Sequence, residues 1–395
     1  MDEATLEPIS RFGNLKIKWR RLSQGRKILI CIVGLLLIGL GSLSAYTSYS
    51  YWFWNKKEPI DQSELLGMGS STGKEGTPQE QQIPSPINGI FYSARDASVW
   101  KKRRPLGISM ENHIASRPPY GLPQAEIIYE AVAEGGITRF LAVYLCSGSE
   151  RLEPIRSART YFLDWASEFD GIFVHWGGAN SSDPRTDALG NIVRFGIANL
   201  NCLTSPELCW RDTERYAPHN GVSSTEHLWK KAQERGLSTE VDFDSWQFKE
   251  EASSSARPTK QSILFDFWGD ADYTVKWEYD ALNNEYLRFN GRGGTEIHKD
   301  SATNEQLRAK NVIIQEVVQG VVDDGTEYPH LAFETIGEGK ALVFLDGVQI
   351  EATWKKPERK ERTRYYEATS LEEIKFNRGQ IWVEVLPPGN IVTVG

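Results

Sequence analysis

Ile127-Ile128-Tyr129-Glu130-Ala131-Val132 and Arg139-Phe140-Leu141-Ala142-Val143-Tyr144-Leu145 are two apolar runs separated by six residues that include the pair Gly135-Gly136. Runs of this length and composition read as strands buried on both faces, and Gly171-Ile172-Phe173-Val174-His175-Trp176 reads as a third. Between the second and third, Ser157 is placed to open a helix that gathers Tyr161, Phe162, Trp165 and Phe169 near one face. Ser223, followed three residues on by Glu226, is a capping-box pattern for another helix, which Gly236 ends. After a polar break at residues 250–261 the apolar period falls to two, in Tyr273–Asp280, Asn311–Val318, Ala341–Ile350 and Gln380–Leu386, with Asp346-Gly347 as a hairpin turn. The expected fold class is therefore α+β: a mixed α/β layered domain over residues 89–249 and a smaller β-rich domain over residues 262–394.

What precedes these domains is of a different kind. Residues 28–55 carry no charge, and at ~1.5 Å per residue a helix over 28–54 spans a hydrocarbon layer of ~30 Å. Lys16, Lys18, Arg20, Arg21, Arg26 and Lys27 lie before it, and Tyr46, Tyr49, Tyr51, Trp52, Phe53 and Trp54 form an aromatic girdle at its end. This order predicts a cytoplasmic tail over residues 1–27, a single-pass cell-membrane anchor and an extracytoplasmic bulk. A cleaved signal peptide is the rival reading, but no good small-x-small site precedes the girdle, and bulky Ile30 before Cys31 argues against lipidation there. Residues 55–88, rich in Ser, Gly, Gln, Glu and Pro, read as a disordered tether.

Beyond residue 27 the chain has 38 Lys/Arg against 50 Asp/Glu, a formal charge of −12, which argues against nucleic acid as a partner. Cys202 and Cys209, with six residues between them, can close a disulfide across a Pro-bearing loop or remain reduced thiols; Cys146 would be left over. No second Cys/His pair has zinc-ligand spacing, and neither a metal nor a cofactor is expected. A His-Glu-x-x-His motif, a phosphate-binding P-loop and a dinucleotide fingerprint are all absent.

Polar clusters instead gather at the ends of the expected elements: Glu111-Asn112-His113 with Arg117, Glu134 to Arg139, Pro154 to Arg159, His175 to Gly178, and Arg211 to Asn220. If Ser157 caps its helix, Arg156, Arg159 and the first-turn N–H groups converge as a clamp for an anion. The alternative is that both arginines pair with Glu111, Glu130, Glu134 or Asp212 and hold loops in place. His175 or His219 can serve as a general acid or base, with Glu134 as a neighbouring carboxyl. Trp176 and Trp210 are candidates for stacking on sugar rings.

Glu111-Asn112-His113, Ile128-Tyr129-Glu130, Glu134 to Ala142, Pro154 to Arg159, His175 to Gly178 and Ala217-Pro218-His219-Asn220, with Arg288, His298, Asp300, Ala309 to Val312 and Thr353 to Lys356, resemble the YerB-like family of bacterial surface lipoproteins. The resemblance spans roughly residues 90–394 and implies an extracytoplasmic α+β domain followed by a β-rich one, without implying a reaction. It departs from the family pattern at the membrane helix, where a lipobox is usual, and at residues 291–298, where the turn before His298 is longer.

The expected function is a membrane-anchored envelope protein binding an anionic or glycan cell-wall component. Its ligand-binding residues would be Glu111, Asn112, Arg117, Arg139, Arg156, Ser157, Arg159, Arg211 and Asn220; its candidate catalytic ones His175, His219 and Glu134. A hydrolase of a phosphodiester or glycosidic bond is the first alternative, and a scaffold for peptidoglycan-synthesis proteins the second.

Overall fold

The computed structural model describes residues 82–237, 243–269, 271–326 and 328–395. The expected basic tail and membrane helix, and the tether up to residue 81, lie outside the described residues. Among the described residues no helix is long and apolar enough to cross a membrane.

Ten strands form the main sheet: β1 (Leu106–Glu111), β2 (Ile127–Val132), β3 (Thr138–Tyr144), β4 (Ile172–His175), β5 (Asn199–Asn201), β6 (Asn311–Glu316), β7 (Gly337–Leu345), β8 (Val348–Lys356), β9 (Arg364–Glu367) and β10 (Ile381–Leu386). Their order is β9-β8-β7-β6-β10-β2-β3-β1-β4-β5. The apolar runs at 127–132 and 139–145 pair antiparallel, with Ala131 opposite Arg139, and β1 adds to β3 so that Glu111 also lies opposite Arg139. Every residue of β1, β2, β3 and β10 is buried, which explains why these strands read as unbroken apolar runs rather than alternating ones.

The sheet crosses the expected domain boundary. β10, near the C-terminus, lies parallel to both β6 and β2, with Ile381 paired to Asn311 on one side and to Ile127 on the other. Without it β2 would be an edge strand, apolar on both faces and with unpaired backbone groups. A second sheet, built around Ser262–Phe265, Val275–Asp280 and Glu285–Asn290, packs on one face, where Trp277 meets Trp382 of β10 at 5.2 Å between ring centroids. The other face is covered by the helices α1 (Ala94–Trp100) and α2 (Thr160–Ser167), with Trp165 stacked on Tyr129 of β2 at 5.2 Å. Asp346 and Gly347 both have positive φ, 54° and 74°, as the tight turn joining β7 to β8 requires.

Three expectations are corrected. The tether stops short of Asn88: Gln82–Pro84 pairs with Phe91–Ser93, and Ile87 is fully buried in the turn between them. The helix expected at Ser157 begins at Thr160, because residues 155–158 stay extended: Ile155 bridges Met110, the Arg156 N–H donates to the Ser109 carbonyl, and Ala158 bridges Gly178. The capping serine of the helix Thr225–Glu234 is Ser224, whose hydroxyl accepts from the His227 N–H at 3.2 Å. Ser223 instead donates to the Leu208 carbonyl.

Candidate functional site

The C-terminal end of β1 carries Glu111 to the edge of the core, and the Arg211–Asn220 loop folds over it. One Glu111 oxygen lies 2.8 Å from Arg156 Nε, and the other accepts from His219 Nδ1 at 2.7 Å. A carboxylate oxygen accepts, so the proton of the neutral ring sits on Nδ1 and the lone pair on Nε2. His113 stacks on His219 at 4.5 Å, and burial together with the neighbouring His219 lowers its pKa. Arg211 lies over the Trp176 ring at 3.9 Å and donates to Asn220 Oδ1 at 3.0 Å. Its pKa is lowered by burial and by Arg156. Glu111 is 3% exposed, whereas the Arg156 and His219 side chains are 21% and 22% exposed, so the carboxylate is the floor of a cationic surface patch.

The loop above the floor is held by Asn220, whose amide donates to the Asp212 carbonyl at 2.7 Å and the Arg215 carbonyl at 2.9 Å. Arg215 in turn reaches the Ser116 carbonyl at 2.9 Å, joining the loop to the turn after His113. Asn220 is thus engaged internally, in the position that brings Arg211 and His219 together.

Beside the patch but below the surface, Glu134 binds Arg159 through both oxygens and accepts from Arg139 at 3.1 Å. Burial acts to raise the Glu134 carboxyl, but the two guanidinium groups outweigh it and hold the group at about 2. Burial, and then Arg159, draw Arg139 down to about 10. The pairing foreseen as the alternative to an anion clamp is thus the one the structure contains: Arg156 with Glu111, and Arg159 with Glu134. Ser157 caps no helix; its carbonyl accepts from Ser109 Oγ at 3.1 Å. Gly135 and Gly136, with φ of 67° and 77°, form the turn after β2.

Three of the expected residues are carried away from the patch. His175 is fully buried and stacked on Phe173, with Nδ1 2.6 Å from the Gly177 carbonyl and Nε2 3.3 Å from Asn199 Oδ1; burial lowers its pKa. Asn112 donates to Glu130 at 2.9 Å and to Thr138 at 2.8 Å beneath the second sheet, and accepts from Arg117 Nε at 3.0 Å. These contacts turn Arg117 toward the C-terminal half, where it donates to the Asp272 carbonyl at 2.8 Å.

A fully buried charged cluster has no role among the residues expected from the sequence. Arg288 donates to Glu130 and, at 3.3 Å, to Glu384, all three with fully buried side chains, and lies 4.6 Å from the Trp382 ring. Burial pushes Glu384 well above the usual carboxylate range against the pull of Arg288. The available signal was a lone charge inside each of two apolar strands, Glu130 in β2 and Glu384 in β10, and Arg288 at a buried position of the alternating strand Glu285–Asn290. Cys202 and Cys209 form the disulfide, and Cys146 is free.

The protein called "Putative lipoprotein YerB" of Bacillus subtilis (strain 168) is 29% identical over 314 residues, covering 78% of this chain and 87% of that one. The crystal structure of the YerB protein from Bacillus subtilis superposes with a TM-score of 0.67 at 26% identity, covering 79% of this chain and 99% of that one. Residues 93–238 match the N-terminal domain, and residues 264–383 the C-terminal domain, of a family described as protein of unknown function, DUF3048. The loop over Glu111 and all of the main sheet but the last three residues of β10 fall within those matches, and the chain belongs to this YerB-like family.

Proposed function

We propose that this chain is an envelope-associated protein, anchored by residues 28–54 with its bulk outside the membrane, that binds an anionic or glycan component of the cell wall through the patch over Glu111. The location is supported by the uncharged N-terminal stretch and by the lipoprotein name of the relative. The binding role is supported by one observation above all: Arg156, His219, Arg211 and His113 converge on one partly exposed surface around a single buried carboxylate, with Trp176 beneath Arg211. Guanidinium N–H groups suit phosphate or carboxylate oxygens, and the His219 Nε2 lone pair suits a sugar hydroxyl. A local cationic cluster acts within a Debye length of ~8 Å, so the net negative charge of the whole does not oppose it.

A second reading, hydrolysis of a phosphodiester or glycosidic bond, is favoured by the 2.7 Å contact between Glu111 and His219. A histidine oriented by a carboxylate, with Nε2 unprotonated, is the arrangement a general base needs. The experiment is co-sedimentation of the full chain, in detergent, with purified cell-wall polymer, alongside mass spectrometry of any released products. Binding that Arg211→Ala and Arg156→Ala reduce at least tenfold supports the first reading. Products whose loss in His219→Ala exceeds that variant's loss of binding support the second; wild-type binding by both arginine variants overturns the patch as the site.

A further inference from the structure

Where the two halves meet, a separate hollow of about 480 Å³ opens between the turn after His113 and the strand end at Asn290. Arg117, Asn290 and His298 border it, and each has one buried nitrogen without a hydrogen-bond partner among the described residues: Arg117 Nη2, Asn290 Nδ2 and His298 Nε2. Asn290 and His298 are only 3% and 2% exposed. Buried donors left open are costly and rare, so three bordering one hollow call for an explanation.

The protonation of His298 follows from its neighbour. Arg288 Nε donates to His298 Nδ1 at 3.1 Å, so Nδ1 accepts and the proton of the neutral ring is on Nε2. Burial, Arg288 and Arg117 all keep that ring neutral. The unpartnered His298 atom is therefore a donor, as are the other two. Two of these groups, Arg117 and His298, are set from behind by one continuous network: Arg117 on Asn112, Asn112 on Glu130, Glu130 on Arg288, and Arg288 on His298. Asn290 is placed by its strand pairing with Glu296. Side chains locked in this way form a preorganised site rather than a chance gathering.

We propose that this hollow binds a small carboxylate-bearing molecule, its oxygens accepting from Arg117, Asn290 and His298. A monoanion fits better than a phosphate dianion because Asp272 and Glu296 also border the hollow. The Asp272 carboxylate lies 3.8 Å from exposed Arg292, while Glu296 is exposed at the rim and adds negative potential beside Arg117. The site is distinct from the patch over Glu111 and does not depend on the role proposed for that patch.

The test is a titration of the full chain, in detergent and with ¹⁵N-labelled histidine, using sodium acetate, glycine, inorganic phosphate and sodium chloride at matched ionic strength. Acetate and glycine, which share the carboxylate, are expected to shift one imidazole signal to saturation while chloride does not. Asn290→Leu removes one donor without leaving a new unpaired polar group, so it should weaken acetate binding at least tenfold with an unchanged melting temperature. Arg117→Lys, which keeps the charge but loses the planar fork, should weaken it similarly and serves if the first variant does not fold. No saturable shift with acetate, saturation by phosphate alone, or an acetate affinity that both folded variants retain would overturn the proposal.

Discussion

Glu130 and Glu111 lie on the same sheet, and each binds a guanidinium group, yet their settings differ completely. Glu130 is in the middle of β2, under the second sheet, where its partner Arg288 also has no exposed side-chain surface. Glu111 ends β1, where the covering loop leaves Arg156 and His219 about one-fifth exposed. The same chemistry is a structural tie where water is excluded and, on the function proposed above, would be a recognition surface where a strand runs out. Depth within the sheet, rather than residue type, separates the two roles.

The largest effect should therefore come from Arg288→Met. It leaves Glu130 buried without its countercharge, and breaking a buried pair from one side costs roughly 3–5 kcal/mol. Denaturant unfolding of the full chain should record that loss. A change below about 1 kcal/mol would mean that the Arg288 cluster is not the more structural of the two.

Glu134 tests the boundary between the classes, since it adjoins the patch but is mostly buried. Its folded pKa is depressed to about 2 from an ordinary 4.5, so its contribution to stability is present above the ordinary value and is lost as pH falls through about 2. At 1.36 kcal/mol per unit, the wild type should lose about 3 kcal/mol from this group across that window. Glu134→Gln should be weaker at neutral pH and should show a flatter acid limb. An unaltered acid limb would place Glu134 with the exposed groups.

How much of this was legible in the sequence follows the same division. The strands β2, β3 and β4 and the Asp346-Gly347 turn are local patterns, and their expected extents lie within a residue or so of the observed ones. The helix at Ser157 was misread because residues 155–158 are pulled into extended pairing by β1 and Gly178, contacts that local propensity does not contain. Among the polar clusters, adjacency at element ends brought Glu111, Arg156, Arg211 and His219 onto the page. It could not distinguish Arg156 from Arg159, three residues away, whose greater burial depends on the turn carrying Glu134. Arg288 and Glu384 needed a partner 96 residues distant to be understood.

Asn220→Ala should have a smaller effect on stability and a larger one on binding. It removes the amide that ties the covering loop to the Asp212 and Arg215 carbonyls, at a cost of roughly 1–3 kcal/mol. Arg211 then loses its contact with Asn220 Oδ1, and co-sedimentation with cell-wall polymer should fall by more than stability alone explains. Retained binding would mean that Arg211 does not need to be held over Trp176.

The smallest effect on stability is expected from His219→Ala, and that makes it the sharpest comparison with Arg288→Met. Arg156 still neutralises Glu111 after the change, and the lost imidazole was partly exposed, so unfolding should shift by no more than about 1 kcal/mol. Polymer binding should nevertheless drop at least tenfold, because the Nδ1 contact is what aims the ring outward. His219→Gln supplies a donor of similar reach to Glu111 and should recover stability first and binding only in part. If His219→Ala were instead to destabilise the fold as much as Arg288→Met, Glu111 would have to be counted with Glu130, as a second structural carboxylate that lies nearer the surface.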